Sequence, residues 1–375
     1  MKNKNGAQRT RVLIVGSTDD EHNRLMKLLQ TYSDAGYNVR FVGMDRRRRR
    51  PRVHDINGFR CEYIMAGWGY ANWRLLFGYP LWVLRLLRYI LTTQTELVHA
   101  FELDSALPVA IASWCRRIPF IYDVQDNYDL RHSWPFPLKP MFRLLDRWVI
   151  GRSRGVIVPD ENRIVGPFKR FRDKIAIIPN CPPDLSCPDS APARDATFTV
   201  LAMGQLAQRR GIDLLLEAVR HLGHIRLLMA GRFVEPWLEA KALAMRQVEF
   251  RGWIPSETAI RLPYEADLVF AFYDPSYAVN ILANAQKWFD AMMTGTPVLA
   301  NREIANASWI EREGFGYVCR YGDVAELANL LKWIGENLPD AERKGRRARK
   351  LFEERYNWPL MEKKLLTMVA IALQQ

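Results

Sequence analysis

The sequence has few cysteines and lacks the cysteine patterns that define small scaffolds. The five are odd in number and form no CxxC pair or His-rich metal spacing; they are Cys61, Cys115, Cys181, Cys187 and Cys319. No DxD-like acidic metal cluster occurs either. The first eleven residues are polar and basic, without the apolar segment of a secretory signal. We therefore expect a reducing, cytoplasmic environment and no bound metal or cofactor.

An uninterrupted hydrophobic run is also missing. The most apolar segment, residues 75–91, carries Arg85 and Arg88 and has Pro80 near its start. A helix that crosses a bilayer needs about 20 mostly apolar residues, and charges at its centre are costly. This segment is therefore not expected to span a membrane.

Acidic residues are scarce only in the first half. Residues 1–180 contain 30 Lys and Arg against 17 Asp and Glu, while residues 181–375 contain 24 of each. The net charge of +13 thus belongs to the first half. Such asymmetry predicts that one domain faces a polyanion.

Short apolar runs alternate with helical patterns through most of the 375 residues. That alternation is typical of parallel-sheet α/β units, and the length exceeds what one hydrophobic core usually supports. Residues 181–196, rich in Pro, Ser and Asp, interrupt the pattern and suggest a linker. We predict Rossmann-like domains at 1–180 and 197–355, facing each other across a cleft. Residues 356–375 are expected to form a helix that crosses back to the first domain.

Two motifs in the second half suggest an anion site. In GQLAQRRGIDLLLEA, residues 204–218, a glycine turn with Arg209 and Arg210 leads from a strand into a helix, an arrangement that favours phosphate. In NAQKWFDAMMTGTPVLA, residues 284–300, Lys287 and Asp290 are three positions apart and share one helix face. An ordinary turn with solvated arginines and a surface ion pair are the alternatives.

These motifs resemble the nucleotide-sugar domain of GT-B retaining glycosyltransferases of family 4. Gly204, Gln205, Leu206, Arg210 and Gly211 stand where that family has G-R-L and K-G, and DAMMTGTPV, residues 290–298, is similar to its E-A-M-A-x-G-x-P-V element. FRGWIPSETAIRLPYEADLVFAFYDPS (250–276), YDVQDNY (122–128), IIPNC (177–181) and RYNW (355–358) also fall where such enzymes carry similar signatures. The resemblance covers nearly the whole chain.

The resemblance implies a metal-independent hexosyltransferase that uses a nucleoside diphosphate sugar and retains configuration. The acceptor would be a glycan or polyprenyl-linked saccharide of cell-surface polysaccharide or glycolipid synthesis. Arg210 would bind the donor diphosphate, Asp290 the ribose, and backbone N–H groups at 285–287 a phosphate. The implied donor-binding positions are Gly16, Gly204, Gln205, Arg209, Arg210, Asn284, Ala285, Gln286, Lys287 and Asp290. Those implied for catalysis are Gln125, Asp126 and Lys287.

The sequence departs from the family pattern at several places. Asp290 is one methylene shorter than the family glutamate, and the loop at residues 16–20 lacks the usual glycine cluster. Leu282 falls on the first acid of the E-x7-E motif, Gln205 replaces an arginine, and Gln125 stands where many relatives have histidine. Two alternatives therefore stay open: a nucleotide-sugar epimerase of the same fold, and a non-catalytic scaffold at the membrane.

The first half contains candidates for acceptor and membrane contact. His99 lies at the end of a predicted strand, and Glu102 and Asp104 follow in the loop, at the edge where α/β ligand crevices form. A structural role for His99 is the alternative. Arginines interleaved with aromatic residues suit the headgroup region of an anionic membrane, although a helix packed on its own domain explains the pattern equally. The membrane-facing candidates are Arg46, Arg47, Arg48, Arg49, Arg50, Trp73, Trp82, Arg85 and Arg88. We expect peripheral attachment to the cytoplasmic face and, because no nucleic-acid-binding motif occurs, no nucleic acid partner.

Overall fold

The computed structural model describes residues 9–18, 23–67, 75–131, 138–185 and 197–374. It divides into two units, one of residues 1–178 with 362–375 and the other of residues 179–361. The division at residues 178 and 179 precedes the predicted linker, residues 181–196, of which 186–196 are outside the described part of the chain.

The first unit is built on an eight-stranded sheet of order β3-β4-β2-β1-β5-β6-β7-β8. All neighbours are parallel except β3 and β4, which form an antiparallel pair. The strands are β1 (Arg11–Val15), β2 (Asn38–Asp45), β3 (Val53–Ile56), β4 (Phe59–Ala66), β5 (Leu97–Phe101), β6 (Phe120–Asp123), β7 (Gly155–Val158) and β8 (Ile175–Ile177). The α-helices are α1 (Asn23–Asp34), α2 (Leu75–Thr92), α3 (Glu102–Arg116), α4 (Tyr128–Arg131) and α5 (Leu138–Arg152), and 3₁₀ turns cover Glu161–Arg163 and Gly166–Lys174.

Helix α2 belongs to the core of the first unit. Trp82, Leu86 and Ile90 recur every four residues, and all three are buried in that core. The prediction that Trp82 faces a membrane is therefore wrong, because its indole is fully enclosed by its own domain. In the described part of the chain, no helix is long and apolar enough to cross a membrane.

The second unit is built on a six-stranded parallel sheet of order β11-β10-β9-β12-β13-β14. This is the strand order of a Rossmann domain, with its switch point between β9 and β12. The strands are β9 (Phe198–Leu206), β10 (Ile225–Phe233), β11 (Val248–Phe250), β12 (Leu268–Ala271), β13 (Val298–Asn301) and β14 (Gly316–Cys319). The two predicted Rossmann-like domains are confirmed.

Helices cover both faces of this sheet in the usual βαβ manner. The helices of this unit are α6 (Ile212–Val219), α7 (Pro236–Leu243), α8 (Ser256–Ala259), α9 (Ala278–Ile281), α10 (Gln286–Thr294), α11 (Ala307–Glu313), α12 (Val324–Glu336) and α13 (Leu338–Arg355), with 3₁₀ turns at Gln208–Arg210 and Leu262–Glu265. A further helix, α14 (Trp358–Gln374), follows α13.

Helix α14 begins in the second unit, where the Trp358 amide donates to the Pro182 carbonyl at 2.9 Å. From residue 362 onward the helix belongs to the first unit. There Met368 lies so close to the start of β7 that a Cβ on Gly155 would come 2.6 Å from its sulfur. The expected return of the last helix to the first domain is therefore observed.

Helix α13 is held close to the C-terminal end of α10 by a glycine. A Cβ on Gly345 would lie 2.2 Å from the carbonyl oxygen of Gly295, which is a backbone atom that cannot turn aside. The contact fixes α10, and α10 carries Lys287 and Asp290.

We predict that Gly345→Ala lowers the free energy of unfolding by about 1–3 kcal/mol, because overpacking forces the backbones apart. Gly151→Ala in α5 is the control, since its Cβ would meet only the Phe171 ring at 3.9 Å. That variant should gain about 0.5–1 kcal/mol from helix propensity. Denaturant unfolding of both variants tests the contact, and equal stability of the two would contradict it.

Candidate active site

The second unit gathers its predicted donor residues at the switch point between β9 and β12. Gly204, near the end of β9, has a φ of +95°, which glycine adopts without strain. The chain then forms the 3₁₀ turn Gln208–Arg210 and reaches Gly211, also at positive φ, before α6 begins. In open α/β sheets ligands bind outside the carboxyl ends of the strands at such a point.

Arg210 is held in one orientation at this edge. Its guanidinium carbon lies 4.2 Å from the centroid of the Tyr273 ring, just after β12, and Nη1 donates to Asn280 Oδ1 at 3.3 Å. Asn280 is itself fixed because its Nδ2 donates to the Asp274 carbonyl at 2.9 Å. The stacked, half-buried cation is thus positioned before any ligand arrives.

Arg209 points elsewhere, although it is the next residue. It is exposed, and its Nη2 donates to the side-chain oxygen of Gln205 at 2.6 Å. The structure therefore separates the two arginines that the motif left equivalent. Gln205, at the position of a family arginine, engages Arg209 rather than Arg210.

Lys287 links α10 to the end of β9. Its Nζ donates to the Met203 carbonyl at 2.8 Å. Burial and, to a lesser degree, the neighbouring Arg210 lower the pKa of Lys287 to about 8, although Asp290 acts in the opposite direction. Arg210, Lys287 and Asp290 are therefore within electrostatic range of one another. Asp290 is almost completely buried, with 5% of its surface exposed.

The N-terminus of α10 completes this group. Ala285 is the N-cap residue and makes no side-chain cap, so its side chain leaves the first amides of the helix to other partners. Gln286, the first helical residue, is held by Asn180, whose Nδ2 donates to Gln286 Oε1 at 2.7 Å. Asn284 is half-buried immediately before the cap. A helix terminus beside two cations favours an anion.

Leu282 follows α9 and is half-buried. Its side chain offers neither a charge nor a hydrogen bond at the place of the first family acid.

In the first unit, a buried network lies beneath the predicted acceptor residues. Asp123, at the end of β6, accepts from Arg24 Nε at 2.8 Å and pairs with His99 Nε2 at 3.1 Å. Burial alone would raise the pKa of Asp123, but Arg24 and His99 hold it below its usual value. His99 Nδ1 is hydrogen-bonded to the Tyr32 hydroxyl at 2.9 Å.

His99 is therefore a structural residue, and its prediction as an acceptor contact is wrong. Its side chain is fully buried, and both ring nitrogens are engaged by Asp123 and Tyr32. An imidazole in that position has no access to a substrate.

Glu102 and Asp104 lie at the start of α3, directly after β5. Glu102 is half-buried and has a φ of +59°, an uncommon conformation for a residue other than glycine. Asp104 accepts from the Ser17 hydroxyl at 2.6 Å, so it is joined to the loop that follows Gly16. Gly16 itself packs beside Phe101, where a Cβ would come 3.0 Å from the ring.

Gln125 and Asp126 follow β6 and are both half-buried. Gln125 Nε2 donates to Asp123 Oδ1 at 2.6 Å, and Asp126 pairs with the buried Arg163 at 2.9 Å. Both side chains are thus fixed by charged neighbours at the carboxyl edge of the sheet.

The arginine run divides into one buried and four exposed residues. Arg46 is 5% exposed, donates from Nε to the Ser17 carbonyl at 2.9 Å, and stacks on Tyr79, so its prediction as a membrane contact is wrong. Residues 47–50, Arg85 and Arg88 are exposed, which leaves their membrane role a prediction. Trp73 lies outside the described residues.

Comparison with protein families identifies the class to which the fold and site belong. A model of the glycosyl transferase 4-like domain matches residues 22–181, and a model of glycosyl transferases group 1 matches residues 197–337. Together they span most of the chain, which therefore belongs to this glycosyltransferase family. No curated protein sequence matches it.

Solved structures establish the GT-B fold. The chain is similar to sucrose-phosphate synthase from Thermosynechococcus elongatus, at 15% identity and a TM-score of 0.73, over 96% of this chain and 98% of that one. It is also similar to Anabaena HepE in complex with UDP and glucose, at 15% identity and a TM-score of 0.73, over 96% and 100%. The lipopolysaccharide outer core galactosyltransferase WaaB matches at 12% identity and a TM-score of 0.65, over 96% and 99%.

Sequence reasoning missed the residues that hold the predicted ones in place. Tyr273 and Asn280 fix Arg210, Met203 accepts from Lys287, and Asp123 with Arg24 supports Gln125. The available signal was position, since Tyr273 and Asp123 each stand at the end of a buried apolar strand.

The pKa of Lys287 tests the arrangement of Arg210, Lys287 and Asp290. We predict that Arg210→Gln raises it above its wild-type value of about 8, whereas Asp290→Asn lowers it, because the two neighbours act with opposite sign. Titration of the lysine Cε resonance by NMR, assigned with Lys287→Arg, measures both shifts. Changes in the same direction would mean that altered burial, not the two charges, sets this pKa.

Proposed function

We propose that this protein transfers a hexose from a nucleoside diphosphate sugar to a glycan or polyprenyl-linked saccharide, with retention of configuration. The convergence of Arg210, Lys287 and Asp290 at the switch point of the second unit carries the proposal. Two cations and a helix N-terminus suit a diphosphate, and a buried carboxylate one helical turn away suits the hydroxyls of a ribose.

The chemistry that we assign to the second unit is stabilisation of the departing diphosphate. Negative charge grows on that group as the bond between the hexose and the diphosphate breaks. Arg210 and Lys287 are already oriented by Tyr273 and the Met203 carbonyl, so they provide preorganised positive charge. The α10 amides add partial positive charge, and in this proposal no metal ion or cofactor is used.

A nearly neutral operating pH suits Lys287 in this role. With a pKa of about 8, the group is mostly protonated at pH 7, and a bound diphosphate would favour the protonated form further. Donor affinity should consequently fall as the pH rises above about 8.

We assign acceptor contact to the first unit, where Glu102, Asp104, Gln125 and Asp126 follow neighbouring strands β5 and β6. Since Gln125 cannot act as a base, its amide would position a hydroxyl rather than deprotonate it. We further propose that exposed arginines of this basic unit hold the enzyme at the cytoplasmic face of an anionic membrane, in cell-surface polysaccharide or glycolipid synthesis.

Donor binding is the direct test. UDP or GDP, or one of their sugars, should raise the melting temperature of the wild type, and the shift should disappear in Arg210→Ala combined with Asp290→Ala. Arg220→Ala, an exposed arginine paired with Glu217 on the adjacent helical segment, is the control and should keep the shift.

Three outcomes discriminate among the functions. A nucleotide shift with sugar transfer to an acceptor supports the transferase, and conversion of the free donor without acceptor supports an epimerase. Binding without any turnover supports a scaffold, which the apolar Leu282 favours. Absence of every nucleotide shift in folded protein contradicts the proposed donor site.

A further inference from the structure

A separate cavity of about 610 Å³ lies in the first unit, between the arginine run and helix α2. Five of its lining residues are arginines: Arg48, Arg50, Arg52, Arg85 and Arg88. Residues 63–66 of β4 form its floor, together with Tyr89 and Thr92. We call this cavity the arginine pocket.

The loop side of the pocket is built around Asp45. Its buried carboxylate accepts from the Arg47 amide at 3.2 Å and the Arg50 amide at 2.8 Å. Its carbonyl accepts from the amides of Arg48 and Gly67, and Arg48 takes a φ of +54°. The run is therefore folded into a defined turn.

This turn sorts the arginines by alternation. Arg48, Arg50 and Arg52 line the pocket, whereas their exposed neighbours Arg47 and Arg49 are not among its lining residues. The turn therefore places three of its side chains on the pocket side and two outside it.

The helix side is equally defined. Arg85 and Arg88 are three residues apart, so they share one face of α2. Trp82 and Leu86 anchor the helix in the core. Arg85 Nη1 also donates to the Ile64 carbonyl at 3.1 Å, which holds that side chain against the floor strand.

The pocket concentrates like charge without an acidic lining residue in the described chain. The nearest carboxylate along β4, Glu62, accepts from the Tyr89 hydroxyl at 2.9 Å, and Asp45 serves the loop amides. Five guanidinium groups around one cavity repel one another, and an anion removes that repulsion while it receives charge-assisted hydrogen bonds.

We propose that the arginine pocket binds a ligand with at least two phosphate groups, at a site distinct from the donor residues of the second unit. The volume falls in the range of small-molecule sites and exceeds the needs of a single phosphate. Anionic lipid headgroups at a membrane surface and a diphosphate group offer the same chemistry. The inference deepens the proposed membrane and acceptor role of the first unit but needs no turnover.

Two charge-matched double variants provide the test. Arg48→Gln with Arg52→Gln removes two pocket arginines, and Arg47→Gln with Arg49→Gln removes two from the same loop outside the pocket. Arg88→Gln probes the helix side. All are made in an Arg210→Ala background, which weakens anion binding by the second unit equally in every variant.

Pyrophosphate is the soluble probe, measured by calorimetry. The pocket pair should weaken its binding about tenfold or more, and Arg88→Gln several-fold, because charge-assisted bonds are lost. The outside pair should change it by no more than about threefold, since only general charge is lost. Equal losses in both pairs, or no pyrophosphate binding, would overturn the proposal. UDP binding by the wild type tests the donor site separately. If UDP still binds, a negative pyrophosphate result contradicts the arginine pocket and leaves the proposed donor site standing.

Sedimentation with phosphatidylglycerol vesicles, compared with phosphatidylcholine vesicles, identifies the source of the phosphate. If the variants rank for binding to the anionic vesicles as they do for pyrophosphate, the ligand is two neighbouring lipid headgroups with one phosphate each. If the variants rank as expected in affinity for pyrophosphate but the protein does not bind the vesicles, the ligand is a diphosphate. That result contradicts membrane attachment through this pocket.

Discussion

The hydrogen bond from Lys287 to the Met203 carbonyl is the interaction on which the arrangement of the second unit depends. It joins a helix N-terminus to the end of the central strand, and it requires an ammonium group to be buried where solvation no longer supports its charge. Asp290 compensates part of that cost from the same helix face. The close contact of Gly295 with Gly345 then fixes the other end of α10, so the charges cannot relax by moving the helix.

Both units carry charged side chains at the carboxyl ends of their parallel strands, but the sign of the charge differs between them. In the second unit, cations meet at the carboxyl ends of β9 and β12, and Asp290 is their acidic neighbour. In the first unit, carboxylates follow β5 and β6, and buried arginines restrain them: Arg24 holds Asp123 and Arg163 pairs with Asp126. Each unit thus presents charged side chains whose positions are set by buried partners rather than by solvent.

The sequence predicted those features of the fold and the site that depend on residue spacing or on the order of elements along the chain. The three-residue spacing of Lys287 and Asp290 and the glycine turn before Arg210 predicted which residues share an edge, and the βα cadence predicted the domains. It was misleading where burial decided. His99, Arg46 and Trp82 are residue types that suit a ligand or a membrane, and only packing against Asp123, Ser17 and the core of α2 shows that they serve their own domain. Partners distant in sequence, such as Tyr273 for Arg210, leave no local pattern.

The seating of Met368 against Gly155 has a consequence for how the chain reaches its native state. The first unit is synthesised first, yet residues 362–374 cover part of its sheet, so nearly two hundred residues must be made before that surface is closed. Domains usually fold as they emerge from the ribosome. The part of the first sheet that α14 covers can therefore be buried only after the second unit has been translated.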